Sequence, residues 1–359
     1  MRRKPKPEAV AVGAIIRAER EDLSVDHFDL GPAVDRAKAL VENAFSKNTK
    51  RAYKASWVVF ERWCVKRNLL PLPATPQIVA LYVSEMASGE VEGASKKGSL
   101  EEQPKKKRRP STISGHLASI HHHHTLAGLD SPTDAPEVNL MMESARRTYG
   151  TQKDKKSPIL AEMIPSVIDV IDSDPDLSEM AKARNKGLVL LGFAGAFRRS
   201  ELVHELCIVD FVEKKEGLLV HLRHSKTDQT GIGRYIRIPY GSSQKTCPVI
   251  AILSLRQKLA DRGITSGSMF LSESRNNYGK PINTNSVALI IKAAIKAAGY
   301  DPAVYAGHSL RAGFVTSAAQ RNATLPSIME QTGHTDLRTL SEYIRVEGSW
   351  DAHAGKGLL

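Results

Sequence analysis

The chain has 359 residues, more than a single hydrophobic core ordinarily supports, and its composition is that of a globular protein built as two domains. It carries a net +12, and a split after Gly150 leaves +6 on each side (24 basic against 18 acidic residues, then 27 against 21), so both halves can face a polyanion. Three scattered cysteines, Cys64, Cys207 and Cys247, exclude a disulfide framework and a C-x-x-C zinc pattern, no apolar run nears the ~18 residues of a membrane span, and the start is too polar for a signal peptide; a reduced, cytoplasmic protein is expected.

In chain order, residues 1–30 read as a flexible lead with a basic start. Apolar spacing then predicts an all-helical first domain over 31–149, with helices at Gly31–Phe45, Asn48–Lys66 (starting at Ser46 or Asn48), Pro76–Ala87, Thr112–Gly128 and Val138–Tyr149. Lys50, Arg51 and Lys54 sit at helical spacing near the start of the second helix, suited to a nucleic-acid backbone. Residues 88–110 are nearly devoid of apolar side chains and read as a mobile basic insertion. Its P-K-K-K-R-R-P run (Pro104–Pro110) has the composition of a nuclear signal, but Arg108 and Arg109, just ahead of a helix, serve equally as a phosphate clamp. His121–His124 invite a metal reading; four consecutive residues point around a helix and cannot converge on one ion, so no metal is assigned.

A polar, basic stretch at 150–158 is the expected linker. The second domain, 159–359, opens with a proline-capped helix and continues into an apolar run, Arg184–Phe197, that reads as a central buried helix. Two short alternating runs, Gly217–Arg223 and Gly233–Pro239, predict a hairpin in a small antiparallel sheet, with Lys226 in its turn. From Thr284 onward the chain reads as mostly helical; Thr284–Ala298 is expected to bury Val287, Leu289, Ile290 and Ile291 while presenting Lys292 and Lys296 to a DNA groove.

Three segments of this second domain concentrate chemistry. A-G-A-F-R-R-S-E-L (Ala194–Leu202) ends an apolar run on two arginines and a glutamate; G-H-S-L-R-A-G-F (Gly307–Phe314) sets His308 three residues from Arg311, on one helix face; and G-H-T-D-L-R-T-L-S-E-Y (Gly333–Tyr343) follows. Fixed guanidinium groups with a proton donor are what a phosphodiester requires, because attack on it builds negative charge and expels a poor leaving alkoxide.

Together these motifs resemble the tyrosine recombinase (phage integrase) family. The resemblance implies that Arg198, Lys226, His308, Arg311 and His334 surround the scissile phosphate, with Glu201 in a supporting place and Tyr343 as the nucleophile. Ala44–Trp57 and His116–Asp134 are similar to the DNA-gripping N-terminal domain of Cre-type members, which brings His116 forward as a DNA contact. The implied fold is mainly α: a C-shaped, two-domain DNA clamp with an all-helical core-binding domain and an α-rich catalytic domain carrying a small antiparallel β-sheet. The implied function is site-specific recombination through a 3′-phosphotyrosyl intermediate, without metal, ATP or other cofactor. The implied partners are double-stranded DNA with an inverted-repeat target and three further copies of the chain, as a homotetramer on two duplexes, with Trp350, Leu358 and Leu359 available to dock a C-terminal tail on a neighbour. Relaxation of DNA in the manner of a type IB topoisomerase, catalytically silent binding to a DNA site, and a metal-dependent nuclease built on the histidine run are the alternatives.

Overall fold

The structure is a computed structural model, and it describes residue 36, residues 45–92, 106–150 and 156–225, residue 228 and residues 231–341. The expected lead, nearly all of the Gly31–Phe45 helix, Lys226, Tyr343 and the C-terminal tail lie outside the described residues. The chain divides into two compact units, residues 1–153 and 154–359.

The first unit is helical throughout its described length: α1 (Lys47–Val65), α2 (Pro76–Ser88), α3 (Pro110–Leu126) and α4 (Pro136–Tyr149). Each start is written locally. The Ser46 hydroxyl accepts the Thr49 N–H at 3.2 Å, and Thr75, Arg109 and Ala135 stand ahead of prolines whose missing N–H costs a first turn nothing. Phe60 and Trp63 of α1, Tyr82, Val83 and Met86 of α2, Ile113 and Ile120 of α3 and Val138 and Met142 of α4 fill the core. The 88–110 stretch is not a loop from end to end: α2 runs to Ser88, Val91 is buried, and the Arg108 N–H donates to the Met86 carbonyl at 2.9 Å before Pro110 opens α3. A lone valine and a main-chain bond made both margins part of the unit, and composition hides both; the middle, 93–105, is outside the described residues.

The histidine run takes part in packing. His124 is buried, donates from Nδ1 to the Ile120 carbonyl and accepts the Ala74 N–H at Nε2, both at 2.9 Å. His123 stacks on Trp57 with centroids 4.2 Å apart, and His122 lies 5.0 Å from the Tyr53 ring. These imidazoles belong to an aromatic seam between α1 and α3, and among the described residues no three His, Cys, Asp or Glu side chains gather as a metal site.

The second unit has α5 (Ile164–Ser173), α6 (Glu179–Ala194) and α7 (Arg199–His204), then a sheet of β1 (Phe211–Lys214), β2 (Gly217–Leu222) and β3 (Arg234–Pro239), then α8 (Pro248–Ala260), α9 (Thr284–Ala297), α10 (Ser309–Gln320), α11 (Leu325–Thr332) and α12 (Leu337–Ser341). The sheet is antiparallel in the order β1-β2-β3, pairing Phe211 with Val220, Leu218 with Ile238, Val220 with Ile236 and Leu222 with Arg234. The alternation seen in the sequence is its buried face, whereas β1 has one buried residue in four and so no pattern to read. Helix α6 is the centre: Leu188–Leu191 are all buried, and at Gly187 an added Cβ would sit 3.3 Å from Ile252 of α8. Helix α9 buries Val287, Ile291, Ala294 and Ile295, the i, i+4, i+7, i+8 stripe. Leu289 is 67% exposed, contrary to expectation, because two residues from Val287 is about 200° around a helix. Among the described residues no helix is long and apolar enough to cross a membrane, and all three cysteines are free thiols.

Candidate active site

Helix α6 cannot continue past Ala194: Gly195 follows, and Ala196 takes φ +49° while fully buried. This bend turns the chain sharply enough that Arg198 becomes the residue before α7, and Glu201 falls within that helix's first turn. Both carboxylate oxygens of Glu201 are then used by Arg198, Oε2 taking its backbone N–H at 2.8 Å and Oε1 its Nη1 at 2.5 Å. Glu201 is 2% exposed, so this is a shielded ion pair that fixes the guanidinium by its far edge. Neighbouring Arg199 goes elsewhere: an added Cβ on Gly307 would fall 1.8 Å from its Cδ, so its stem lies flat over the residue before His308.

Arg311, in the first turn of α10, is 1% exposed, the largest fully buried side chain among the described residues. Nη1 donates to the Ala196 carbonyl at 2.7 Å, which ties α10 to the bend that carries Arg198. Nη2 donates to His334 Nε2 at 3.0 Å. A guanidinium only donates, so that bond fixes the imidazole: Nε2 carries the lone pair, and Nδ1–H donates to the Thr332 hydroxyl at 2.7 Å, which in turn donates to the Ile328 carbonyl at 2.7 Å. His334 is therefore neutral, its pKa pushed down to about 4 by burial and then by Arg311, Arg198 and Arg234. In this arrangement its Nε2 receives a hydrogen bond from Arg311.

His308 immediately precedes the helix that carries Arg311, in helical dihedrals. His308 is the cap of α10, exposed, with its carbonyl accepting the Ala312 N–H at 2.9 Å; only Arg311 is inside the helix. Around His334 the chain thus collects Arg198 with Glu201, Arg311 and one residue the sequence reading missed, Arg234, while Lys226 and Tyr343 are outside the described residues. Arg234 is half-buried at the start of β3, and burial pulls its guanidinium below its ordinary pKa, with Glu201 opposing the shift. In the sequence it is one polar position of an alternating strand, and nothing there tells it from Arg237.

The residues singled out for DNA contact stand on or beside α1, α3 and α9. Lys50, Arg51 and Lys54 are exposed on α1, Arg109 is exposed at the start of α3, and Lys296 is exposed and Lys292 half-buried on α9. Arg108 and His116 are close together but turned inward. His116 Nδ1 shares a 2.8 Å hydrogen bond with the Tyr82 hydroxyl, and burial followed by the charge of Arg108 lowers its pKa to about 4. Burial pushes the Tyr82 phenol far above its usual range.

Residues 159–349, more than half of the chain and nearly all of the second unit, match the sequence pattern of the phage integrase family. The chain belongs to the phage integrase family. An integrase/recombinase XerD homolog of Selenomonas ruminantium is 33% identical to it over 314 residues, 86% of this chain and 84% of that protein. Recombinase Cre of Escherichia phage P1 is 21% identical over 321 residues, 84% of this chain and 85% of its own. Two solved structures share the fold: XerH site-specific recombinase bound to difH substrate in a pre-cleavage complex (TM-score 0.55, 17% identity, 98% of this chain and 96% of that one) and a lambda integrase dimer bound to a COC′ core site (0.53, 15%, 96% and 89%). As a phage integrase family member, the chain is of the tyrosine-recombinase type, whose activity is DNA strand cleavage and rejoining.

Proposed function

We propose that the protein is a site-specific DNA recombinase that breaks and reseals strands through a 3′-phosphotyrosyl link to Tyr343, needing neither metal nor ATP. The observation that carries this reading is the arrangement of Arg198 and Arg311 around His334, each guanidinium held from behind by Glu201 or by Ala196 and His334. Two preorganised cations in a shielded setting favour a phosphorane-like transition state, because they need not reorganise as charge builds on its non-bridging oxygens.

On this reading the Tyr343 oxygen bonds to phosphorus as the bond to the 5′-oxygen breaks. The phenolic proton leaves by way of His308, and Lys226 delivers a proton to the departing 5′-oxygen. The phosphotyrosine conserves the ester's energy, so a 5′-hydroxyl from a second duplex can reverse the step and complete an exchange. Two duplexes and four protomers are the natural assembly for such an exchange, and a solved lambda integrase tetramer is bound to a Holliday junction. The exposed Lys50, Arg51 and Lys54, with Arg109 and Lys296, would follow the phosphate backbone and give binding its salt dependence.

The test uses the full-length protein and a pool of nicked duplexes with randomised arms, which trap any strand whose short 5′ fragment diffuses away. A protein–DNA adduct that survives sodium dodecyl sulfate is expected, unchanged by EDTA. Tyr343→Phe should lose it and still retard the same DNA in a gel. An adduct that persists in Tyr343→Phe, or one abolished by EDTA, would refute the reading.

A further inference from the structure

Arg234 does something its own hydrogen bonding does not explain. Its Nη1 donates to two successive main-chain carbonyls, Glu330 at 2.9 Å and Gln331 at 3.1 Å, the last turn of α11. Its Nη2 is buried and has no hydrogen-bond partner among the described residues. A charged donor left unpaired away from water costs stability, so a guanidinium is a poor choice if the role is only to fill space. The plane of the group lies against Gly333, where an added Cβ would stand 3.0 Å from Cζ. Gly333 is the left-handed cap of α11, φ +68°, and the next residue is His334. Arg234 therefore grips the helix end on one side and the turn that aims His334 on the other. Gln331 braces the same junction from the opposite direction, its Nε2 donating to the Ala194 carbonyl at 2.8 Å and the Arg237 carbonyl at 3.2 Å.

Resting on the recombinase reading, we infer that Arg234 is a positioning residue for His334, and through it for Arg311, locking the end of α11 to the β2–β3 hairpin. Arg234 pairs with Leu222 at the loop end of that hairpin, so the strand pair and the His334 turn move as one body. A rigid joint at this place matters because His334 Nε2 accepts from Arg311, and a shift of under an ångström there spoils the placement of a phosphate-binding cation.

The experiment uses the full chain and the nicked-duplex adduct assay, read as single-turnover rates beside thermal melting. Arg234→Met, which keeps the stem and removes the orphaned charge, is expected to melt no lower than wild type yet form adduct on the order of a hundredfold more slowly. Placed in a His334→Ala background, it should add nothing further, since its action passes through that imidazole. Arg234→Lys, which keeps one donor for the carbonyls, should recover part of the rate and covers the case in which the methionine variant fails to fold. Wild-type rate in Arg234→Met, or a loss that simply adds to that of His334→Ala, overturns the inference and leaves the recombinase reading intact. A wild-type protein that forms no adduct overturns both.

Discussion

At the scale of single residues, the site is a chain of donors with one allowed direction. Arg311 donates to His334, His334 to Thr332, and Thr332 to the Ile328 carbonyl, and each link fixes which way the next group must donate. Thr332→Val keeps the shape and removes the middle acceptor, leaving the Nδ1 proton stranded. The expected result is a loss of about 1–3 kcal/mol in unfolding free energy by denaturant titration, with a slower adduct-forming step. Wild-type values for both would show the chain to be incidental. Arg198, Glu201, Arg311 and His334, which the fold brings together, each stand in a short, spaced motif that the sequence displays. Thr332 and Arg234 were not legible there: a threonine two residues before a histidine is unremarkable by composition, and the carbonyl that Arg234 grips lies 96 residues away along the chain. Motif spacing reports neighbours in sequence, while these two residues act through neighbours in space.

Among the elements, α10 is packed closely against the residues that open the second unit. Its Gly313 has a would-be Cβ 1.7 Å from the Ile159 carbonyl oxygen; the Ile159 N–H bonds the Ser309 carbonyl at 2.9 Å, and the Ala161 N–H bonds the Ser317 hydroxyl at 3.0 Å. The first segment of the catalytic unit is thus laid along the helix that holds Arg311. Gly313→Ala must separate the two backbones, with an expected cost of about 1–3 kcal/mol or more and a fall in melting temperature larger than Gly115→Ala, where an added Cβ meets nothing within 4 Å. Equal melting of the two variants would contradict the packing described. At this scale the sequence read well where periodicity was long, as in α1, α2 and α4, and poorly where an element was short or its apolar residues few. Strand β1 shows one buried side chain, and Leu289 belongs to an apolar cluster of α9 that only the helical angle sorts into inside and outside.

For the whole molecule, acidity should be the sharpest global stress. Burial first, and nearby positive charge second, lower His116, His122 and His334 to about 4 from an ordinary 6.5. The unfolded chain takes up these protons near pH 6.5 and the folded one only near 4. Their contribution is complete above about 6.5, shrinks as the pH falls through that window, and is gone below about 4. Melting temperature should be level from pH 8 to 7 and fall steadily towards pH 4, and His116→Gln with His122→Gln should flatten part of that slope; a slope unchanged by both would assign acid sensitivity to other groups. The margins of the 88–110 stretch carry a different consequence. Since the Arg108 amide is already closed onto Met86 and Lys107 stands over Gly89, the chain on either side of 93–105 is stapled at a neck that does not depend on the residues between. Swapping those residues for a glycine–serine segment of half or twice the length should shift unfolding free energy by no more than about 0.6 kcal/mol, which makes this neck a natural port for a fluorophore or a fused recognition module.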